Sequence, residues 1–134
     1  KGHEDWVLND LAALGVNRDT ALAYAPSADT LALTGYNYWA ADRKHPCSVL
    51  GMLYVLEVIA SVYGGPLANA QKERLLLQGE LGVSFINSHA TLDAEHMREL
   101  REIANTLDDA ESQASIVESA LVNFHHFTRI VQAL

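Results

Sequence analysis

His89-Ala-Thr-Leu-Asp93-Ala-Glu-His96, inside the segment from Ser84 to Leu107, is the stretch on which the reading of the fold turns. At about 100° per residue, offsets of four and seven bring His89, Asp93 and His96 within about 60° of one another on one stripe of a helix. Two imidazoles and a carboxylate on such a stripe form a nitrogen–oxygen donor set that suits iron, manganese or zinc better than a thiolate-seeking metal. The Asp-x2-His half also repeats the carboxylate-x-x-His pattern of di-metal helix bundles. A solvated helix face carries the same residue types, so a metal site here needs partners from elsewhere in the chain.

Working outward, helical periodicity dominates, with no sustained period-2 alternation and no Asn-Gly or Asp-Gly hairpin. The pattern predicts a first helix from about His3 to Leu14, with Gly15 as its stop, then a loop through Pro26. Ser27 caps a second helix from about Ala28 to Arg43. A strongly apolar helix runs from Val49 to Val62 and is ended by Gly64-Gly65-Pro66. Further helices cover roughly Leu67–Gln78, Ser84–Leu107 and Ala110–Ala133. Five or six helices with short connections read as an all-α bundle in one domain.

The chain has 134 residues, 49% of them hydrophobic, with 17 acidic and 9 basic side chains and a net charge of −8. That excludes a disordered chain and argues against a phosphate-tracking nucleic-acid binder. One cysteine, Cys47, excludes a disulfide scaffold and a Cys-rich zinc module and fits a reducing, cytoplasmic compartment. No apolar run reaches the roughly 20 residues of a membrane span, and no signal peptide is visible.

Glu57 sits among Met52-Leu-Tyr-Val-Leu and Val58-Ile-Ala-Ser-Val62, on a helix that should be buried all round. A carboxylate in that setting must be paired, hydrogen-bonded or bound to a metal. His3 shares a stripe with Val7, Asp10 and Leu14 and can face the core; Asp10 could support it or simply be solvated. His125 and His126 point about 100° apart and read as structural. His45 lies in a loop, and Cys47 reads as a buried spectator. Tyr36, Tyr38, Trp39 and Tyr54 are expected to be core aromatics.

Taken together, these elements resemble the heme-oxygenase-like diiron oxidases and oxygenases, also described as iron-containing redox enzymes. The resemblance rests on Gly2-His3-Glu4-Asp5-Trp6 with Asn9-Asp10-Leu11 and Leu14-Gly15, on His45-Pro46 with Leu50-Gly51-Met52-Leu53-Tyr54-Val55-Leu56-Glu57, and on His89-x3-Asp93-x2-His96. It implies a heme-oxygenase-like helical bundle and metal ligands at His3, Glu57, His89, Asp93 and His96. The cofactor implied is iron, two ions per site, with manganese as the alternative metal. In that family a carboxylate precedes the ligating His of the early helix; here it would fall upstream of Lys1. The given chain is therefore expected to be the C-terminal part of a seven-helix domain.

The chemistry implied is dioxygen-dependent oxidation of a small amino acid, amine or fatty-acid-like substrate. Implied partners are that substrate and O2, with a homodimer as a possible assembly, and neither nucleic acid nor membrane. No basic residue stands out as a clamp for a substrate carboxylate; Arg43 and Lys44 are guesses. Two alternatives stand beside this reading. One is a heme-binding relative of heme oxygenase, which would need one axial His and leaves the His-x3-Asp-x2-His pattern unused. The other is a non-catalytic helical interaction module with a degenerate metal site.

Overall fold

The computed structural model describes residues 2–133, with residues 90–94 described by their helical backbone alone. Among the described residues there are seven α-helices and no strand. They are α1 (His3–Ala13), α2 (Arg18–Ala23), α3 (Ala28–Arg43), α4 (Ser48–Ile59), α5 (Gly65–Leu75), α6 (Ser84–Ala104) and α7 (Ala110–Gln132). The all-α class is thus confirmed, with one helix more than the sequence pattern announces. The extra one is α2, in the expected loop. Asn17 caps it by accepting from the Thr20 N–H, a signal masked by its length of six residues. Ser27 does the same for α3, accepting from the Thr30 N–H as expected.

The apolar helix does not stop at Gly64-Gly65-Pro66. A π-helical turn, Ala60–Gly64, links α4 directly to α5. Pro66 has no N–H to give and its ring crowds the carbonyl one turn back; a wider turn relieves both. The continuous helical stretch Ser48–Leu75 is 28 residues long, with mean hydropathy 1.5 in its most apolar window. By length and composition it is long and apolar enough to cross a membrane, contrary to expectation; the core helix of a soluble protein passes the same test.

Two compact units make up the chain. The first comprises residues 1–25 with 59–94, and the second 26–58 with 95–134. In the first unit, Ala68 and Val83 are fully buried. Gly82 has φ +97°, and a Cβ there would come within 3.0 Å of Leu14 Cδ2 and 3.1 Å of Leu77 Cδ1, so glycine is needed for both shape and space.

In the second unit, α3 packs on α7. Asn37 and Asn123 exchange amide hydrogen bonds across this pair: Asn37 Nδ2 donates to Asn123 Oδ1 at 2.8 Å, and Asn123 Nδ2 returns one to Asn37 Oδ1 at 3.1 Å. Each amide also donates back to its own helix, to the Leu33 and Ser119 carbonyls. α4 approaches α7 through Gly51, where a Cβ would collide with the Ile116 carbonyl oxygen and stand 2.8 Å from the Ala120 nitrogen. Val55 and Ala40 complete the buried apolar centre of this unit.

Two expectations about burial are corrected here. Helix 49–62 is not enclosed: Leu53, Tyr54, Leu56 and Val62 are exposed. Of the expected core aromatics, Tyr38 is 76% exposed and Trp39 49%. α3 packs on α7, and side chains of α3 that no neighbour covers remain in water. Trp39 instead carries the Lys44 ammonium over its ring, 5.4 Å from the centroid.

Candidate metal centre

The five expected ligands fall into two pairs and one remainder. In the first unit, His3 of α1 and His89 of α6 have ring centroids 5.1 Å apart, inclined at 53°. Trp6 and Phe85 pack on the His89 ring at 5.7 Å and 4.3 Å, while His3, which could have faced the core, is exposed. In the second unit, His96 of α6 faces Glu57 of α4, with Nδ1 3.3 Å from Oε2. Glu57 is thus part-buried beside an imidazole, one of the hydrogen-bonded alternatives the sequence left open. Asp93 lies outside the described side chains.

Why His3 and His89 meet is visible one turn away. Asp10, on the His3 helix and only 6% exposed, accepts hydrogen bonds from the Gly82 N–H (3.0 Å), the Ser84 hydroxyl (2.8 Å) and the Phe85 N–H (2.8 Å). It is the N-terminal cap of α6, supplied from α1. Trp6 Nε1 donates to Ser84 Oγ at 2.7 Å, adding a second tie between the same helices. Burial pushes the Asp10 carboxyl up, but the hydrogen bonds from Phe85, Ser84 and Gly82 outweigh it and hold the group below its ordinary value. Sequence reasoning left Asp10 undecided between support and solvation; its partners lie more than 70 residues away.

His89 also carries a local constraint. Its Nδ1 lies 2.7 Å from the Phe85 carbonyl oxygen, one turn back on α6. A carbonyl only accepts, so Nδ1 bears the proton and the neutral ring keeps its lone pair on Nε2. Metal-binding histidines are usually set up in this manner.

Donor spacing tests the fit to a metal. Ligand bonds of roughly 2.0–2.2 Å meeting at right angles place two donor atoms about 3 Å apart, and two imidazoles on one ion keep their centroids roughly 4.6–5.5 Å apart. The Glu57–His96 and His3–His89 separations each satisfy this requirement. Among the described residues, no three His, Cys, Asp or Glu side chains gather closely enough to hold an ion. The donors therefore fit as pairs, with hard nitrogen and oxygen atoms of the kind iron takes.

A family model described as iron-containing redox enzyme matches residues 1–125. The chain belongs to that family. The match covers α1 to α6 and most of α7, so both donor pairs lie within it. Membership supports an iron-dependent oxidoreductase. No curated protein and no solved structure matches the chain.

Of the groups read as structural, His126 has a carboxylate beside it and Cys47 is less buried than expected. His126 Nδ1 lies 3.4 Å from Asp29 Oδ1, which also accepts from Arg129 Nε at 3.0 Å. Cys47 is a half-buried free thiol.

Proposed function

We propose that this member of the iron-containing redox enzymes is a non-heme diiron, dioxygen-dependent oxidase or oxygenase of a small organic substrate, working in the cytoplasm. The observation that carries the reading is the Glu57–His96 pair: a carboxylate and an imidazole at ligand-pair spacing on α4 and α6, in a chain of this family. His3, Glu57, His89, Asp93 and His96 would hold the metal. Bound ferrous iron supplies the electrons and the open coordination that dioxygen reduction requires.

The protein's own contributions follow from its side chains. The Phe85 carbonyl fixes the orientation of the His89 ring and takes up Nδ1, which leaves Nε2 as the nitrogen that can face a cation. Asp10 and Trp6 tie α1 to the start of α6 and so fix His3 against His89 before any ligand arrives. Trp6 and Phe85 pack against the His89 ring, while His3 stays exposed to solvent. A heme-binding reading needs one axial histidine and gives no role to this pairing of donors.

The test is anaerobic loading with Fe(II). About two irons per chain are expected, with a transient visible absorption on admitting air, and His89→Ala and His96→Ala should each lower the iron content. Fewer than about 0.2 iron per chain, unchanged by either substitution, would overturn the proposal.

A further inference from the structure

The second unit contains a recess that the iron reading does not use. It has a volume of about 130 Å³ and is lined by Leu50 and Tyr54 of α4, Met97, Leu100, Arg101 and Ala104 of α6, and Ile116 of α7. Its lining is almost wholly apolar; Leu100 is its best-buried residue, while Tyr54 is 42% exposed and keeps one side open to water. No acidic side chain is among the lining residues.

Arg101 is the exception to that apolar surface. The other basic residues of this unit have carboxylate partners: Arg98 has Glu95 and Glu102, Lys44 has Glu118, Arg129 has Asp29 and Arg43 has Asp42. The Arg101 guanidinium has neither a hydrogen bond nor an ion pair among the described residues. A guanidinium left unmatched at the mouth of an apolar recess presents its donor fork to whatever enters.

We infer that this recess binds a compact apolar carboxylate, its hydrocarbon body against Leu50, Met97, Leu100 and Ile116 and its carboxylate on Arg101. Size limits the body to about six carbons, because a cavity of roughly 150 Å³ holds a benzene molecule. Charge selects the head. The carboxylate stays at the wet edge, so it meets the bidentate fork without the cost of full burial. An amine of the same shape would find a like charge and no carboxylate to pair with. The chain as a whole carries a net charge of −8, which repels anions, so the attraction is local to Arg101.

The inference does not depend on iron, and the metal-free 134-residue chain serves for the test. Hexanoate is titrated while the Met97 methyl resonance is followed by NMR, with hexylamine and hexan-1-ol as matched probes. Hexanoate should bind saturably, at least about tenfold tighter than either control, and Arg101→Gln should remove that preference while leaving the protein folded. Ala104→Phe fills the recess from its side and should abolish the shift with Arg101 intact. No saturable Met97 shift with hexanoate, equal affinity for hexan-1-ol, or unchanged binding in Arg101→Gln would overturn the assignment.

Discussion

The first turn of α6 and its last turns are held by opposite means. At Ser84–Phe85 every polar group has its counterpart: a buried carboxylate from α1 receives two backbone N–H groups and a hydroxyl, and the hydroxyl receives an indole. From Met97 to Ala104 the helix offers apolar side chains to a recess, charge pairs exposed to water on Arg98, and one guanidinium with no counterpart. A polar group that is buried and fully matched is explained by folding. A charged group that folding has left unmatched, at the edge of an apolar surface, calls for a ligand. The difference separates Asp10, a scaffold residue, from Arg101, a receiving one.

Substitutions can break that contrast, beginning with the largest effect. The unit that holds the last turns of α6 depends on close packing of α4 against α7, and Gly51→Ala should cost about 3 kcal/mol, because the backbone of α7 cannot retreat from an added methyl as a side-chain tip could. Urea unfolding would show it; a loss below about 1 kcal/mol would mean that α4 does not approach α7 so closely. The first region depends on polar bonding, and Asp10→Ala should cost about 2 kcal/mol by leaving the N-terminal N–H groups of α6 without their acceptor.

The same carboxylate sets an acid limit. Its value in the folded chain lies below the unfolded value near 3.9, so its stabilisation is complete above about pH 5 and is lost as pH falls through the folded value. Asp109, lowered by the Ser112 hydroxyl and N–H at the start of α7, acts in the same direction. Asp10→Asn should therefore flatten the pH dependence of stability on the acid side, and an unaltered acid-unfolding curve would remove Asp10 from that role. The smallest effect belongs to Arg98→Ala, whose two partners are exposed to water; its melting temperature should match that of the parent within the scatter of measurement.

How much of this could be read from residues alone depended on distance along the chain. The Ser27 cap, the limits of α3 and the helix carrying His89 and His96 follow from neighbours three to seven positions away, and they were legible. The pairing of Glu57 with an imidazole was foreseen as one of several outcomes, because burial of a carboxylate demands a partner without naming it. Asp10 as a cap for α6 was not legible, since the capping signal and the helix it caps belong to different segments. The π turn was missed because Gly-Gly-Pro ends most helices, and only the wider hydrogen-bonding loop lets this one continue. Tyr38 and Trp39 read as core because hydropathy records what a side chain prefers; whether a neighbour arrives to cover it is decided elsewhere.

The reciprocal amides of Asn37 and Asn123 have a consequence of a different kind. Two apolar helix faces can slide past each other by a turn with modest loss, since methyl groups accept many partners. Two carboxamides that each use donor and acceptor on the other cannot, because a slip of one turn strands four hydrogen-bonding groups at once. This pair therefore works as a key between α3 and α7. Its contribution lies less in how strongly the helices adhere than in allowing them a single alignment.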